Sequence, residues 1–373
     1  MKIKKKIIVL SHACIKKINL SFFETLSKNK NYKIINIIPK YIYSGEKKVY
    51  PDFKKAPKNI IIIKKKLIFK SIRFFFFEKI YKEIEKYKPD YILVDNDVTS
   101  LQSLIIIFHS FFYRFKICYF CYENDVKNVF KIFSFKKLIK FMFINVICRL
   151  IAFKVFKIFC ITNQIKDNYN SFGFERKTVL MPLGYNESIF KKKSTTKSSF
   201  FNIGYFGRIN EKKGVHVLLK ALKNVKIKNW RFYLDIDIIE DKSYYNYIFN
   251  FFNKNFSPNK LIKVKSDHFS IAKIMSKMHL VVIPSIYNEQ YGRVIQESVA
   301  SGSLVIGSKI GGIPEIIKDN ELMFEPNNHN MLAKKINKLN SKEYYNSKRN
   351  SIFETIKRER TISAQIRVFT KQI

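Results

Sequence analysis

Short apolar runs that end in polar residues recur along this chain, and each is followed by a stretch with helical spacing. Examples are KIIVLSHA near the amino terminus, DYILVDND at 90–97 and HLVVIPS at 279–285. Apolar runs without alternation are typical of strands buried on both faces, and strands that alternate with helices form parallel sheets. The pattern predicts an α/β protein built on open parallel sheets, in which ligands bind beyond the carboxyl ends of the strands.

The alternation is interrupted by a polar segment, 191–199 (KKKSTTKSS), which contains no apolar residue. A chain of 373 residues is too long for one ordinary core, so two domains are expected. We predict a first Rossmann-like domain over 1–190 and a second over 200–355. The segment 356–373 is predicted to form a C-terminal helix that crosses back and packs on the first domain.

The stretch Pro284–Ile317 concentrates features that suit an anionic or hydroxyl-rich ligand. It places Glu289 in a loop and Glu297 on a helix that begins between them, at 291–294 (YGRV). The amides at a helix N-terminus and the positive end of the helix dipole favour negative charge.

A second loop follows the strand NIGYFG and carries Arg208 and Lys213. A guanidinium fork and an ammonium group at a strand end can hold a diphosphate without a metal ion. A solvated basic loop is the simpler interpretation, but both loops leave carboxyl ends of strands in the same predicted sheet. Their pairing favours a ligand site.

Polar residues also end the predicted strands of the first half of the chain. They are His12, Asp95, Asn96, Asp97, Glu123, Asn124 and Asn163. Asp95-Asn96-Asp97 follows a hydrophobic strand, as metal-binding carboxylates do in some nucleotide-sugar enzymes, so a site for Mn²⁺ or Mg²⁺ is one alternative. An acidic turn without a ligand is the other.

The chain carries 70 Lys and Arg residues against 29 Asp and Glu residues, a formal net charge of +41. A partner with dense negative charge, either nucleic acid or an anionic membrane surface, would explain this excess. The excess also follows from a composition rich in Lys, Ile, Asn and Phe throughout the chain. Both interpretations stay open.

The segment Val126–Lys166 holds nine Lys and Arg residues and no acid, among many Phe, Ile and Leu residues. This pattern fits a basic amphipathic helix on anionic lipid, and equally a core helix whose lysines reach out to solvent. We expect neither a signal peptide nor a transmembrane helix. The expected location is cytoplasmic, with peripheral association at the inner face of the membrane.

Three motifs of the second half resemble those of glycosyltransferase family 4, a group of retaining enzymes with the two-domain GT-B fold. They are GYFGRINEKKGVHVLLKAL, PSIYNEQYGRVIQESVASG and IGGIPEII. The loop Ser11-His12-Ala13-Cys14, followed by Asn19, resembles the opening of one subgroup, as do VDNDVTSLQ and CYENDVKNVF. The resemblance implies two Rossmann-like domains whose parallel sheets face each other across a cleft.

The resemblance implies that the second domain binds a nucleotide-diphosphate-sugar donor. Arg208 and Lys213 would bind the diphosphate and stabilise the leaving group, while Glu297 would bind the ribose hydroxyls. Glu289 would contact the transferred sugar. Further donor contacts are implied at Gly207, Tyr291, Gly292, Arg293 and Val294.

The resemblance also implies that the first domain binds the acceptor. His12 would act at the reacting sugar, and Asn19, Asp95 and Asn124 would lie on the acceptor side. In this family the acceptor is usually thought to attack from the leaving-group face, with the donor phosphate taking its proton. Such a reaction needs no protein nucleophile, cofactor or metal.

These expectations combine into a retaining glycosyltransferase that moves a sugar from a nucleotide-diphosphate sugar to a saccharide or lipid-linked acceptor. Surface polysaccharide or glycan biosynthesis is the expected setting, and nucleic acid is not an expected partner. Three alternatives remain: a nucleic-acid-binding protein on an enzyme-like scaffold, a metal-dependent transferase that uses Asp95-Asn96-Asp97, and a phosphorylase or sucrose synthase-like enzyme.

Overall fold

The computed structural model describes residues 4–44, 47–53, 55–69, 74–122, 146–192, 198–265 and 270–373. The chain forms two compact units. The first unit comprises 1–182 together with 365–373, and the second comprises 183–364. The boundary between the two units therefore lies at Pro182–Leu183, before the polar segment 191–199 that was predicted as the linker. The chain returns to the first unit at Gln365.

Seven parallel strands form the sheet of the first unit, counted over the described residues. The chain's first strand lies inside the sheet, with Val9 aligned to Asn36 on one side and Leu93 on the other. This order, with the chain moving outward first in one direction and then in the other, is that of doubly wound Rossmann-like folds. In spatial order the strands are Thr178–Leu180, Val155–Cys160, Lys116–Cys121, Tyr91–Val94, Lys5–Leu10, Tyr32–Pro39 and Ile60–Lys65.

Three helices of this unit connect strands that lie next to one another in the sheet, whereas Tyr81–Tyr87 lies in the crossover from the edge strand Ile60–Lys65 to Tyr91–Val94. Residues 146–152 are also helical. The helix Leu101–His109 begins after Ser100, whose side chain accepts a hydrogen bond from the Ser103 amide and so satisfies one free N–H group. The named helices are Ser21–Ser27, Tyr81–Tyr87, Leu101–His109, Asn163–Asn170 and Ile362–Gln372.

The pattern at 74–88 predicts one amphipathic helix, and this prediction is wrong in its first half. Phe76–Phe77 is a short strand that pairs antiparallel with Leu67–Ile68, and the helix starts only at Tyr81. The reason lies in the burial of the phenylalanines, because Phe75 and Phe77 are buried while Phe74 is exposed. Such period-two burial is that of a strand.

The stretch 41–59 is polar and contains proline, which predicts a loop, but it holds a second small ribbon that the sequence did not indicate. Ile42–Ser44 pairs antiparallel with Lys47–Val49. Both ribbons lie beyond carboxyl ends of strands, since they follow Tyr32–Pro39 and Ile60–Lys65 directly. They therefore extend the edge of the first sheet at which parallel-sheet proteins bind ligands.

The second unit holds a sheet of six parallel strands within the described residues, and its order is again that of a Rossmann-like fold. In spatial order the strands are Leu261–Val264, Trp230–Asp235, Phe201–Tyr205, Leu280–Ile283, Leu304–Ser308 and Met323–Phe324. The helices are Val215–Leu222, Lys242–Asn255, Ser270–Met275, Arg293–Ala300, Ile313–Ile317, His329–Lys338 and Lys342–Glu359. The predicted pair of Rossmann-like parallel sheets is thus confirmed.

No helix in the described part of the chain is both long enough and apolar enough to cross a membrane.

The C-terminal helix completes the core of the first unit. Phe369 is 1% exposed, and its ring centroid lies 5.5 Å from that of Phe22, 5.9 Å from that of Phe120 and 5.0 Å from that of Phe159. Aromatic rings at such separations stabilise one another beyond the area that they bury. The last residues of the chain therefore contribute to the stability of the unit formed by its first residues.

We expect Phe369→Ala to lower the free energy of unfolding by about 3–5 kcal/mol, because it leaves a cavity among three aromatic rings. Lys371→Ala, at an exposed position of the same helix, should change it by no more than about 0.5 kcal/mol. Chemical denaturation of both variants measures the two values. Equal effects would show that the ring does not support the core.

Candidate active site

The candidate site lies where the strand order of the second sheet reverses. Phe201–Tyr205 and Leu280–Ile283 are neighbouring parallel strands, and the chain moves outward from them in opposite directions. The loops that follow these two strands therefore diverge and leave a crevice between them, which is where doubly wound sheets bind ligands. These are the loops that carry Arg208, Lys213 and Glu289.

A close contact between backbones holds the two loops together. Gly214 has a φ angle of 69°, and a Cβ atom on it would lie 1.9 Å from the carbonyl oxygen of Pro284. Next to this contact, the amide of Ile286 donates to the carbonyl oxygen of Lys212 at 2.9 Å. Only glycine combines this conformation with this approach. The Lys-Gly pair of the motif thus fixes the distance between the loops.

Lys213 and Glu289 form an ion pair across the two loops. The Lys213 ammonium group donates to Oε2 of Glu289, which also accepts a hydrogen bond from the Ser285 hydroxyl at 3.2 Å. The two charged side chains are 21% and 16% exposed, so water screens the pair only in part. Asn210 orients the lysine, because its side chain accepts from the Lys213 amide at 3.1 Å.

Arg208 has a partner that the sequence analysis did not identify. Its guanidinium group donates to Glu240 at 2.7 Å, and Asn210 donates to the other oxygen of that carboxylate at 2.5 Å. Burial raises the pKa of Glu240, but the hydrogen bonds from Asn210 and Arg208 outweigh it and hold the pKa below its usual value. An anion that binds Arg208 must therefore share it with Glu240 or displace that carboxylate.

The glycine pair of the IGGIPEII motif supports the loop of Glu289. Gly311 has a φ angle of 59°, and a Cβ atom there would lie 2.2 Å from the carbonyl oxygen of Glu289. The amide of Gly312 donates to the same oxygen at 2.7 Å. The motif therefore acts through backbone contact and fixes the position of the Glu289 backbone.

The helix Arg293–Ala300 begins at Gly292, which has a φ angle of 80°, and no side chain caps it. The Tyr291 side chain is 4% exposed; its hydroxyl contacts the Leu183 carbonyl oxygen at 2.8 Å and accepts from Arg360 at 3.1 Å. Arg360, which the sequence analysis missed, is itself buried. The side chain of Tyr291 thus anchors the start of the helix, which leaves its backbone as the group available for the predicted donor contact.

Glu297 lies one turn inside this helix and is 7% exposed. A guanidinium nitrogen of Arg293 lies 3.6 Å from its carboxylate. Burial raises the pKa of Glu297, and the charge of Arg293 opposes that shift without cancelling it. A carboxylate held in this way is a strong acceptor for hydroxyl groups of a ligand.

The predicted acceptor-side residues belong to the first unit. Asp95 is buried and accepts a hydrogen bond from the Ser11 hydroxyl, and burial raises its pKa against the effects of His12 and Ser11. The Asn19 side chain donates to the carbonyl oxygen of Ala13 at 2.7 Å. Asp95 and Asn19 thus brace the loop that carries His12. Asn124 lies outside the described residues.

His12 lines a cavity of about 560 Å³ within the first unit. Its ring packs edge-on against Phe75, with centroids 5.3 Å apart. The cavity lies at carboxyl ends of strands and uses both small ribbons, whose pairing the sequence did not predict. The other lining residues are Tyr41, Ile42, Tyr43, Lys66, Leu67, Phe69 and Phe75.

The two aspartates proposed as metal ligands have protein partners. Asp95 binds Ser11, and Asp97 accepts a hydrogen bond from the Tyr169 hydroxyl at 3.2 Å. Across the described residues, no three His, Cys, Asp or Glu side chains come together in a way that could hold a metal ion.

We expect Gly311→Ala to destabilise the second unit more than its φ angle alone would, because the added Cβ atom collides with the Glu289 backbone. Gly207→Ala is the matched control in the same unit, since Gly207 has a φ angle of 145° and an added Cβ atom would have its nearest neighbour, the Tyr205 side chain, at an ordinary 3.5 Å. Strain should cost about 1 kcal/mol in both variants, and the collision should add at least about 1 kcal/mol in Gly311→Ala. Urea denaturation measures the difference, and equal losses would contradict the assigned contact.

We expect Glu297→Gln to raise the melting temperature at neutral pH. An acid whose pKa is raised by folding contributes stability below its unfolded pKa and loses that contribution as the pH rises through the folded pKa. The neutral amide avoids this loss, so the gain should disappear once the pH falls below the ordinary glutamate range. Thermal unfolding across pH measures it, with exposed Glu343→Gln as the control. No gain at neutral pH would show that Arg293 compensates the buried charge.

Residues 186–359 match the model of the family described as Glycosyl transferases group 1. An uncharacterized glycosyltransferase of Methanocaldococcus jannaschii is 29% identical over 190 residues, which cover 50% of this chain and 50% of that protein. The chain spans half or less of the length of the curated relatives that it matches.

The fold is similar to solved glycosyltransferase structures over nearly the whole chain. A glycosyltransferase from Rickettsia africae has a TM-score of 0.75 at 18% identity, covering 99% of this chain and 97% of that one. HepE of Anabaena, in complex with UDP and glucose, has a TM-score of 0.69 at 16% identity, covering 98% of each chain. Residues 186–359 are thus similar to the glycosyl transferases of group 1, and the whole chain shares the fold of these solved structures.

Proposed function

We propose that the chain is a retaining glycosyltransferase of family 4 that transfers a sugar from a nucleotide-diphosphate sugar to a saccharide or lipid-linked acceptor. The observation that carries this proposal is the Lys213–Glu289 pair at the point of strand reversal. It puts a phosphate-binding cation and a hydroxyl-binding carboxylate in direct contact. A sugar joined to a phosphate matches this arrangement, because its phosphate oxygens and its hydroxyl groups lie next to each other.

The donor diphosphate lies against Lys213 and Arg208 in this proposal. Both cations are paired with carboxylates, Glu289 and Glu240, so the ligand-free site is balanced in charge. A diphosphate replaces the carboxylates as their partner, and Glu289 then turns to the hydroxyls of the sugar. The amides at 291–294 and the dipole of the helix Arg293–Ala300 add positive potential, and the buried Glu297 accepts from the ribose.

Transfer needs negative charge to be stabilised on the leaving diphosphate as the sugar–oxygen bond breaks. Lys213 and Arg208 supply fixed positive charge where that charge develops. The acceptor hydroxyl attacks from the same face, and its proton passes to the departing phosphate oxygen, so the configuration at the sugar carbon is retained. We include no metal or cofactor in the reaction, because these two side chains supply the charge that a metal would bring.

The first unit binds the acceptor in this proposal. His12 stands at the wall of the cavity of about 560 Å³, whose aromatic side chains can pack against the apolar faces of sugar rings. Asp95 and Asn19 act as positioning residues for the His12 loop. We place the enzyme in surface polysaccharide or glycan biosynthesis, in the cytoplasm, with peripheral association at an anionic membrane and without a nucleic-acid partner.

Thermal shift with a panel of UDP-, GDP- and ADP-sugars tests the proposal and identifies the donor. One donor class should raise the melting temperature, and Lys213→Ala should weaken its binding about tenfold or more, because a charge-assisted contact to phosphate is lost. Lys338→Ala removes another ion-paired lysine of the same unit and should leave binding unchanged.

Two outcomes would contradict the proposal. Stabilisation by duplex DNA or RNA at physiological salt, with no response to any nucleotide sugar, would favour a nucleic-acid-binding protein. Turnover that requires inorganic phosphate or free nucleotide in place of a nucleotide sugar would favour a phosphorylase or a sucrose synthase-like enzyme. Loss of transfer on removal of divalent cations would contradict the metal-free reaction alone.

A further inference from the structure

We propose that the first unit binds an anionic lipid bilayer through an exposed apolar surface at the amino-terminal edge of its sheet. We call it the amino-edge surface. Its members are large apolar side chains from the end of one helix, the turn after it and a second helical stretch: Phe108, Phe111, Phe112, Val146, Leu150 and Phe153.

The six side chains of the amino-edge surface are between 54% and 69% exposed. Three of them, Val146, Leu150 and Phe153, have the spacing of one helical face. The ring of Phe153 lies 6.3 Å from that of Phe111, which joins this face to the turn, and Phe112 lies 5.2 Å from Phe108. Soluble monomers rarely expose contiguous apolar surface of this kind unless something binds it.

The charges around the amino-edge surface select an anionic partner. Lys154 places its ammonium group 4.1 Å from the ring centroid of Phe111 and 5.8 Å from that of Phe153. The segments 98–122 and 146–166 contain Arg and Lys but no Asp or Glu, and the nearby Glu85 already accepts a hydrogen bond from the Tyr113 hydroxyl at 2.6 Å. Aromatic rings that insert beside basic groups match the boundary between lipid headgroups and acyl chains.

Two other partners fit the amino-edge surface less well. A second copy of this chain would bring another net charge of +41 against it. Single-stranded nucleic acid would stack on the phenylalanines, but Val146 and Leu150 offer no ring for a base and apolar chains are their natural partners. A bilayer satisfies the aliphatic, aromatic and basic members together.

The amino-edge surface lies at the amino-terminal ends of the strands of the first sheet, and the acceptor-side residues lie at their carboxyl-terminal ends. The helix Leu101–His109 runs back from the carboxyl end of Tyr91–Val94 to the start of Lys116–Cys121, and residues 146–153 directly precede Val155–Cys160. His12 and Asp95 follow carboxyl ends of strands. The nine-residue helix alone spans about 13 Å, so binding at one edge holds the other away from the lipid.

This separation restricts the class of acceptor that the enzyme can use. The inference rests on the proposed glycosyl transfer. An acceptor reached away from the bilayer is the outer end of a saccharide whose other end is held at the membrane. The lipid phosphate itself would lie at the wrong edge of the sheet. We therefore assign the enzyme to the extension of a saccharide and not to the transfer of its first sugar.

Cosedimentation of the full chain with phosphatidylcholine vesicles, with and without phosphatidylglycerol, tests the surface. The chain should bind the anionic vesicles and be released by high salt. Phe111→Ser/Phe112→Ser/Phe153→Ser should reduce binding about tenfold or more, because three rings no longer insert. Tyr50→Ser/Tyr247→Ser removes exposed rings elsewhere and should bind as the unaltered chain does.

The orientation has its own measurement, since all five natural cysteines are buried and an added exposed cysteine can be labelled selectively. A polarity-sensitive dye on Phe112→Cys should shift its emission to the blue with anionic vesicles. The same dye on Tyr50→Cys, at an exposed position that follows the ribbon strand Lys47–Val49 beyond the carboxyl ends of the strands, should not shift.

Any of three results would overturn the proposal: no vesicle binding by the unaltered chain, undiminished binding by the triple serine variant, or equal dye shifts at the two positions. Binding of single-stranded RNA that the triple variant loses, without vesicle binding, would assign the surface to nucleic acid instead. Vesicle binding requires no donor or acceptor, so these results are independent of the nucleotide-sugar panel. A chain that binds vesicles but no nucleotide sugar would keep the surface and lose the assignment of the acceptor.

Discussion

The candidate site depends on two backbone contacts that leave no room for a Cβ atom. At Gly214 one loop meets the carbonyl oxygen of Pro284, and at Gly311 a turn meets that of Glu289. Side chains at the ends of flexible loops could not keep an ammonium group and a carboxylate in hydrogen-bond contact before a ligand arrives. The glycines let three strand-end loops touch, and so preorganise the charges, which lowers the cost of ordering them during binding.

Charge balance shapes the chemistry that such a site can perform. Arg208 and Lys213 are each paired with a carboxylate, although the chain as a whole has a large excess of positive charge. Acidic residues are few in this chain, and two of them neutralise these two cations. Under the proposed function, a ligand that offers both phosphate oxygens and hydroxyl groups can replace these partners, whereas a simple anion leaves the displaced carboxylates without one. Specificity would then arise from this exchange of partners more than from the net charge.

The strands and the two Rossmann-like sheets could be predicted, because runs such as ILV before Asp95 and LVVI before Pro284 carry a strong local signal. The four phenylalanines at 74–77 misled the prediction, since their alternating burial arises from contacts that no local pattern records. Glu240 and Arg360 were missed for a related reason: their partners, Arg208 and Tyr291, lie 32 and 69 residues away. The motifs indicated the glycines, but only the fold shows which backbone each one approaches.

The position of Phe369 has a consequence for the synthesis of this protein. The first unit draws its strands from residues before the second unit, yet its core includes Phe369, which follows the whole second unit along the chain. Until Phe369 has been made, the rings of Phe22, Phe120 and Phe159 lack their common neighbour. Domains usually fold in order as they emerge, but here the first unit cannot complete its core before the second unit has been synthesised.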